Sequence, residues 1–219
     1  RWATHGAPND VNAHPHLSGD GQLALIHNGI IENYQTIRQS LEANGHTFIS
    51  DTDTEVLVHL IDEVQKRTNS TICESVQIAL KEVEGAYAIV VIDENEPEVL
   101  IAARKSSPLV IGVGEEGEYF VGSDATPIIE YTNNVIYLDD EEVAVMHRSK
   151  GLLIRNLHNV VISPEIHELE LQIEELEKGG YEHFMLKEIF EQPRSIFDSI
   201  RGRMSLQRGE IRMSGIDDH

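Results

Sequence analysis

Positive charge is scarce in this sequence of 219 residues, where 17 Lys and Arg stand against 38 Asp and Glu for a formal net charge of −21. A surface of that sign repels phosphate backbones, which sets nucleic acid aside as a partner. A small anion is held on such a protein only where arginines or backbone donors are gathered locally. Long apolar runs are missing too. None approaches the roughly 20 residues that a membrane-spanning helix needs, so no membrane partner is expected. A single cysteine, Cys73, excludes an internal disulfide and suits a reducing compartment, so the expected location is cytoplasmic. Cys73 falls in the helical pattern TICESVQIAL and reads as a small buried hydrophobe. No internal repeat or low-complexity segment is visible.

What is present is an ordinary globular composition, 40% hydrophobic and 25% charged, in a chain long enough for one large domain with a sizeable core. The opening, Arg1-Trp2-Ala3-Thr4-His5-Gly6, reads like the middle of a protein. The expectation is a fragment whose true beginning lies upstream.

The stretch that organises the chain is LALIHNGIIENY, Leu23–Tyr34. A strand-like run (Leu23, Leu25, Ile26) reaches His27 and is expected to turn through Asn28-Gly29, a dipeptide that tolerates positive φ. Alternatively, the Asn28 amide and the Gly29 N–H form an anion site for an oxygen that becomes negative during acyl transfer. Before it lies a polar loop with His14 and His16, and His5 is further upstream. Four histidines including His27 invite a metal. The loop has no Cys, however, and His-Pro-His lacks the spacing of helical ligand pairs. Loop histidines bonded to backbone are the expected reading, and no metal is expected.

Helical spacing marks Asn33–Ala43, ended by Asn44-Gly45. A short strand at Thr47–Ile49 leads to SDTDTE, where Asp53 or Thr54 is expected to cap the apolar helix Val56–Val64. The functional alternative for this stretch is a carboxylate at a strand end, ready to bind an amine. Thr71-x-x-Glu74 is a capping box for a third helix through Val83. From Gly85 the period changes to short β runs at Tyr87–Ile92, Val99–Ala103, Leu109–Val113 and Tyr119–Val121, an expected antiparallel meander. A short helix from Ser123 to Tyr131 follows, then strands at Val135–Leu138, Glu142–His147 and Leu152–Asn156. An acidic helical pattern starts at Pro164, and a last helix carries Phe184, Met185, Ile189 and Phe190 before Pro193. With little βαβ alternation, the fold class is α+β with antiparallel sheets.

Several stretches taken together resemble the glutaminase domain of the isomerising glutamine–fructose-6-phosphate aminotransferases, a family of class II glutamine amidotransferases. They are RWATHG at Arg1–Gly6, HPH at His14–His16, HNGIIENY at His27–Tyr34 and SDTDTEVL at Ser50–Leu57. They continue with EGAYAIVVID, ARKSSPLVIGVG, SDATPI and FMLKEIFEQP, so that the resemblance covers nearly the whole chain. It implies an N-terminal-nucleophile fold, a four-layer αββα sandwich of two antiparallel sheets with its N-terminal part missing. It also implies a nucleophilic cysteine at the mature N-terminus, upstream of Arg1, a role that internal Cys73 cannot fill.

Position by position, the resemblance implies that Arg1 pairs with the glutamine α-carboxylate, helped by Thr4 and His5. Asp53 would hold the ammonium, Trp2 would gate an ammonia channel, and Asn28 and Gly29 would form the oxyanion hole. Residues 1–200 would be the glutaminase domain and 201–219 a linker toward a sugar-isomerase domain that uses fructose 6-phosphate. No cofactor is implied, and the full-length enzyme would be a homo-oligomer. The alternatives are a catalytically dead glutamine-binding module and the glutaminase domain of another class II amidotransferase. The 219-residue chain alone is expected to be inactive.

Overall fold

The computed structural model describes residues 5–169, 180–200, 204–205 and 210–211. By its internal contacts the chain divides into two compact units, Arg1–Glu170 and Leu171–His219. The first is built on two antiparallel sheets. Strands β1 (His16–Leu17), β2 (Leu23–Ile31), β3 (Gly85–Asp93) and β4 (Val99–Lys105) begin the larger sheet. The chain then leaves it to make β5 (Val110–Val113), β6 (Tyr119–Gly122) and β7 (Asn134–Tyr137). It returns as β8 (Glu142–His147), β9 (Gly151–Asn156) and β10 (Val161–Ile162), and β11 (His167–Glu168) adds to the smaller sheet. The larger sheet has the order β1-β2-β3-β4-β8-β9-β10 and the smaller β11-β7-β5-β6. The expected meander is therefore interrupted: β4 pairs with β8, and the three strands between them build the second sheet.

Helices α1 (Tyr34–Ala43), α2 (Asp53–Thr68) and α3 (Ile72–Leu80) precede β3. Val56, Leu57, Ile61 and Val76 from α2 and α3 share one apolar core with Leu23, Leu25, Ile89, Ile101 and Val143 of the larger sheet. A second core, with Ala102, Ile111, Ile136, Ala144 and Ile154, lies between the two sheets. The central strands β3 and β4 are covered on both faces, which is why GAYAIVVID and VLIAARK read as nearly continuous apolar runs rather than alternating ones. The α+β fold with two antiparallel sheets is the one expected. Among the described residues, the outer face of the smaller sheet is covered by Ile128 on a run of turns, joined by Ala125 and Leu169.

Four local expectations are corrected. Ser123–Tyr131 makes successive turns closed by Ile128 N–H to Ala125 O and Tyr131 N–H to Ile128 O, not a helix. Thr47–Ile49 forms no strand; Phe48 instead lies under the Arg38 guanidinium, 4.5 Å from its ring centre. The segment after Pro164 is extended and pairs β11 with β7, while residues 170–179 of the acidic pattern lie outside those described. In the second unit α4 (Phe184–Ile200) runs through Pro193 rather than stopping before it. The strands β12 (Met204–Ser205) and β13 (Glu210–Ile211) pair within that unit. Among the described residues, no helix is long and apolar enough to cross a membrane.

Candidate functional site

The beginning of α2 is tied down from several sides. Thr52, not Asp53 or Thr54, is the N-cap: its hydroxyl accepts the Glu55 N–H at 3.2 Å. The Glu55 carboxylate reaches back to accept the Ile49 N–H at 2.9 Å, the Ser50 N–H at 2.7 Å and the Ser50 hydroxyl at 2.6 Å. Burial works to raise the Glu55 carboxyl, but the bonds from His59, Ile49 and Ser50 outweigh it and bring the group down to about 2. Asp53 and Glu55 in the first turn, with Lys66 and Arg67 in the last, also complement the helix dipole.

Asp53, which opens the helix, is buried. One carboxylate oxygen accepts the Ile31 N–H at 2.9 Å, and the other lies 3.5 Å from His5 Nδ1. The carboxylate is thereby attached to the end of β2.

The Asn28-Gly29 pair does not turn the chain. β2 continues through it and pairs with β3 along its whole length, Asn28 opposite Ala88 and Gly29 opposite Tyr87. The conformational freedom of Gly29 is still used. Its φ is +136°, and an added Cβ would lie 2.1 Å from the Ala86 carbonyl oxygen. Gly85 at the mirror position has φ +119°, with its own Cβ site 2.2 Å from Ile30 O. Two glycines therefore let the paired strands close together at this end, a conformation and an approach that residues with side chains resist.

The two-residue period of β2 sends neighbouring side chains to opposite faces. Leu23, Leu25, His27 and Ile31 are buried, while Ile26, Asn28 and Ile30 are exposed. His27 Nδ1 is 3.1 Å from the Thr54 hydroxyl, and its Nε2 makes a long contact of 3.5 Å with the Ala86 carbonyl. Burial pushes the imidazole below its ordinary value, against the opposing pull of Asp53. Asn28 faces a small cavity of about 80 Å³, lined also by His14, His27, Leu109, Val121 and Ser123. A larger cleft of about 950 Å³ runs along the loop before β2 and the side of α2. Lys66 ties together two of its carboxylates, with Nζ 2.8 Å from both Asp20 and Asp62.

Of the residues singled out by sequence, the structure thus brings together His5 and Asp53, and sets Asn28 three and Gly29 two residues before the strand end that Asp53 holds. Arg1, Trp2 and Thr4 lie outside the described residues. His14 and His16, expected on backbone, face hydroxyls: His14 Nε2 is 3.4 Å from Thr54 Oγ1 and His16 Nε2 is 3.2 Å from Thr52 Oγ1. Sequence reasoning missed Thr54 and the buried orientation of His27. The signal for His27 was its place two residues after Leu25 on the buried face of β2.

The anchored carboxylate of Asp53 at the helix start thus lies next to a glycine-shaped strand end that presents the Asn28 amide. The chain belongs to the glutamine amidotransferase domain family, whose model matches residues 7–130. Among curated relatives, it is 54% identical over 219 residues to the glutamine–fructose-6-phosphate aminotransferase [isomerizing] of Bacteroides thetaiotaomicron, covering 100% of this chain and 36% of the relative. It is 51% identical to the protein of that name in Chlorobaculum tepidum, over 100% of this chain and 36% of the relative. The chain therefore spans about a third of the length of these relatives. A solved structure of similar fold is the glutamine phosphoribosylpyrophosphate amidotransferase of B. subtilis complexed with ADP and GMP. Its TM-score is 0.56 at 28% identity, covering 69% of this chain and 33% of that one.

Proposed function

We propose that this chain is the glutamine-hydrolysing part of an isomerising glutamine–fructose-6-phosphate aminotransferase, acting in the cytoplasm. In the full-length protein, residues 1–200 bind glutamine and release ammonia. Residues 201–219 lead to a sugar-isomerase domain in which that ammonia converts fructose 6-phosphate to glucosamine 6-phosphate, and the whole works as a homo-oligomer. The observation that carries the reading is the attachment of Asp53 to the Ile31 N–H at 2.9 Å, which ties an ammonium-binding carboxylate to the strand bearing Asn28 and Gly29.

The chemistry is covalent. A cysteine thiolate adds to the glutamine carboxamide carbon, the oxygen takes the negative charge, and collapse expels ammonia and leaves a thioester. Water then adds, passes through a second oxyanion, and expels the thiol to give glutamate. The Asn28 amide and the Gly29 N–H stabilise both oxyanions, and Arg1, with Thr4 and His5, takes the α-carboxylate of the substrate. Trp2 lines the route by which ammonia leaves. Cys73 is not the nucleophile. It is half-buried in α3, and burial pushes its thiol up, away from the thiolate that attack requires.

The test is glutamate formation from glutamine by the full-length protein. Asp53→Ala is expected to raise KM for glutamine by about 10- to 100-fold, the worth of a hydrogen bond to a charged group. An unchanged KM would remove Asp53 from the site.

A further inference from the structure

The Thr54 hydroxyl lies between two imidazoles that approach from different parts of the chain. His14 Nε2 is 3.4 Å from it and His27 Nδ1 is 3.1 Å away, while Thr54 itself is buried at the start of α2, next to Asp53. The hydrogens can be assigned by elimination. The Ala86 carbonyl can only accept, so His27 Nε2 donates to it and His27 Nδ1 is left as an acceptor. Thr54 then donates its one hydrogen to His27, and its lone pairs accept from His14. The direction of the relay is His14 to Thr54 to His27 to the carbonyl of β3. Neutral His27 is the form this arrangement requires.

The far end of the relay touches the peptide that matters. The position a Cβ would take on Gly29 is 3.0 Å from His27 Nε2 and 2.1 Å from Ala86 O. The imidazole and the carbonyl it bonds therefore border the space beside Gly29 that a side chain would fill. Asn28 projects from the face of β2 opposite His27.

We propose that Thr54 is a positioning residue for the Asn28-Gly29 anion site: its hydroxyl orients His27 against the Gly29 backbone and so couples that site to the helix start that carries Asp53. The inference rests on the oxyanion role assigned to Asn28 and Gly29 above. It also gives the His-Pro-His stretch a task, since His14 closes the relay at its donor end.

The experiment uses the full-length protein and compares glutamine hydrolysis by the parent, Thr54→Val, Thr54→Ser and Asn28→Ala. Valine keeps the shape and removes the hydroxyl, and serine restores the hydroxyl without the methyl. The expected result is a drop in kcat of about tenfold for Thr54→Val, the scale of a sub-ångström misplacement of a catalytic group. KM should stay within about threefold, and Thr54→Ser should recover most of the loss. The proposal is overturned by an unchanged kcat in Thr54→Val, by a rise in KM alone, or by a serine variant as impaired as the valine one. If Asn28→Ala loses kcat while Thr54→Val does not, the relay is wrong and the glutaminase reading stands. If Asn28→Ala keeps its kcat, the oxyanion assignment itself fails. Should Thr54→Val not fold, histidine ¹⁵N spectra of the parent decide the matter. Near neutral pH, His27 is expected as the Nε2–H tautomer with Nδ1 unprotonated, and a protonated Nδ1 overturns the relay.

Discussion

The two faces of strand β2 differ in what they are built to do. On one, Leu23, Leu25, His27 and Ile31 are closed in by α2 and its neighbours. On the other, Ile26 and Ile30 are 45% and 42% exposed, and Asn28 opens onto the small cavity beside Leu109 and Ser123. Because a strand sends alternate residues to opposite sides, nine residues serve as a fixed wall and as a working surface at once. The buried face holds the backbone in place through packing, the Asp53 carboxylate and the Thr54–His27 bond. The open face presents Asn28, proposed above to act on the ligand, while Asp53, proposed to hold its ammonium, bonds the strand end at Ile31.

The most forceful way to break that comparison is to truncate one residue on each face. Leu25→Ala should cost about 2–5 kcal/mol of stability, as a cavity in a packed core does. Ile26→Ala, one residue further on, should cost less than about 1 kcal/mol. Denaturation midpoints of the two variants check this, and equal losses would deny that the faces differ.

A somewhat smaller effect is expected at Glu55, which braces the helix start behind the wall. Its carboxyl lies at about 2 in the folded protein against an ordinary 4.5. A depressed acid contributes stability above its unfolded value and loses it as pH falls through the folded one. The contribution is at most about 3.5 kcal/mol at neutral pH, since each tenfold change in acidity corresponds to about 1.4 kcal/mol. Glu55→Gln should therefore destabilise the protein at pH 7, and the gap to the parent should close as pH falls from about 4.5 toward about 2. A gap that stays constant with pH would show that the charge of Glu55 is not what braces the helix.

At the small end is Cys73→Ser. The side chain packs against the same core as Leu25, and the proposed chemistry does not use it. Glutamine turnover by the full-length protein should be unchanged, and a large loss would reopen the identity of the nucleophile.

Much of the wall was legible in the sequence and less of the working surface. The helix α3 announced itself through Thr71 and Glu74, whose reciprocal capping bonds are present, and β8 occupies the very residues its pattern marked. These signals are local, so short-range chemistry settles them. The path of β2 was misread because Asn-Gly is a strong turn signal over two residues, whereas the nine-residue register with β3 and the matching Gly85 act at long range. The excursion from β4 to the second sheet and back to β8 was hidden for the same reason. Pro193 shows the limit of a local rule in the other direction, since α4 carries it within the helix. At the site, Asp53, Asn28 and Gly29 stood out through motif resemblance. Thr54 did not, because a threonine in a helix start reads as a cap until its two imidazole neighbours are seen.

The central claim is that Asn28, on the open face of β2, takes part in a reaction that the packing of the closed face supports. Steady-state glutamine hydrolysis by full-length Asn28→Ala, with its melting temperature alongside, tests it most directly. The account predicts a fall in kcat of about 10²- to 10³-fold, as for loss of one oxyanion donor, with little change in melting temperature. A kcat equal to that of the parent would contradict it.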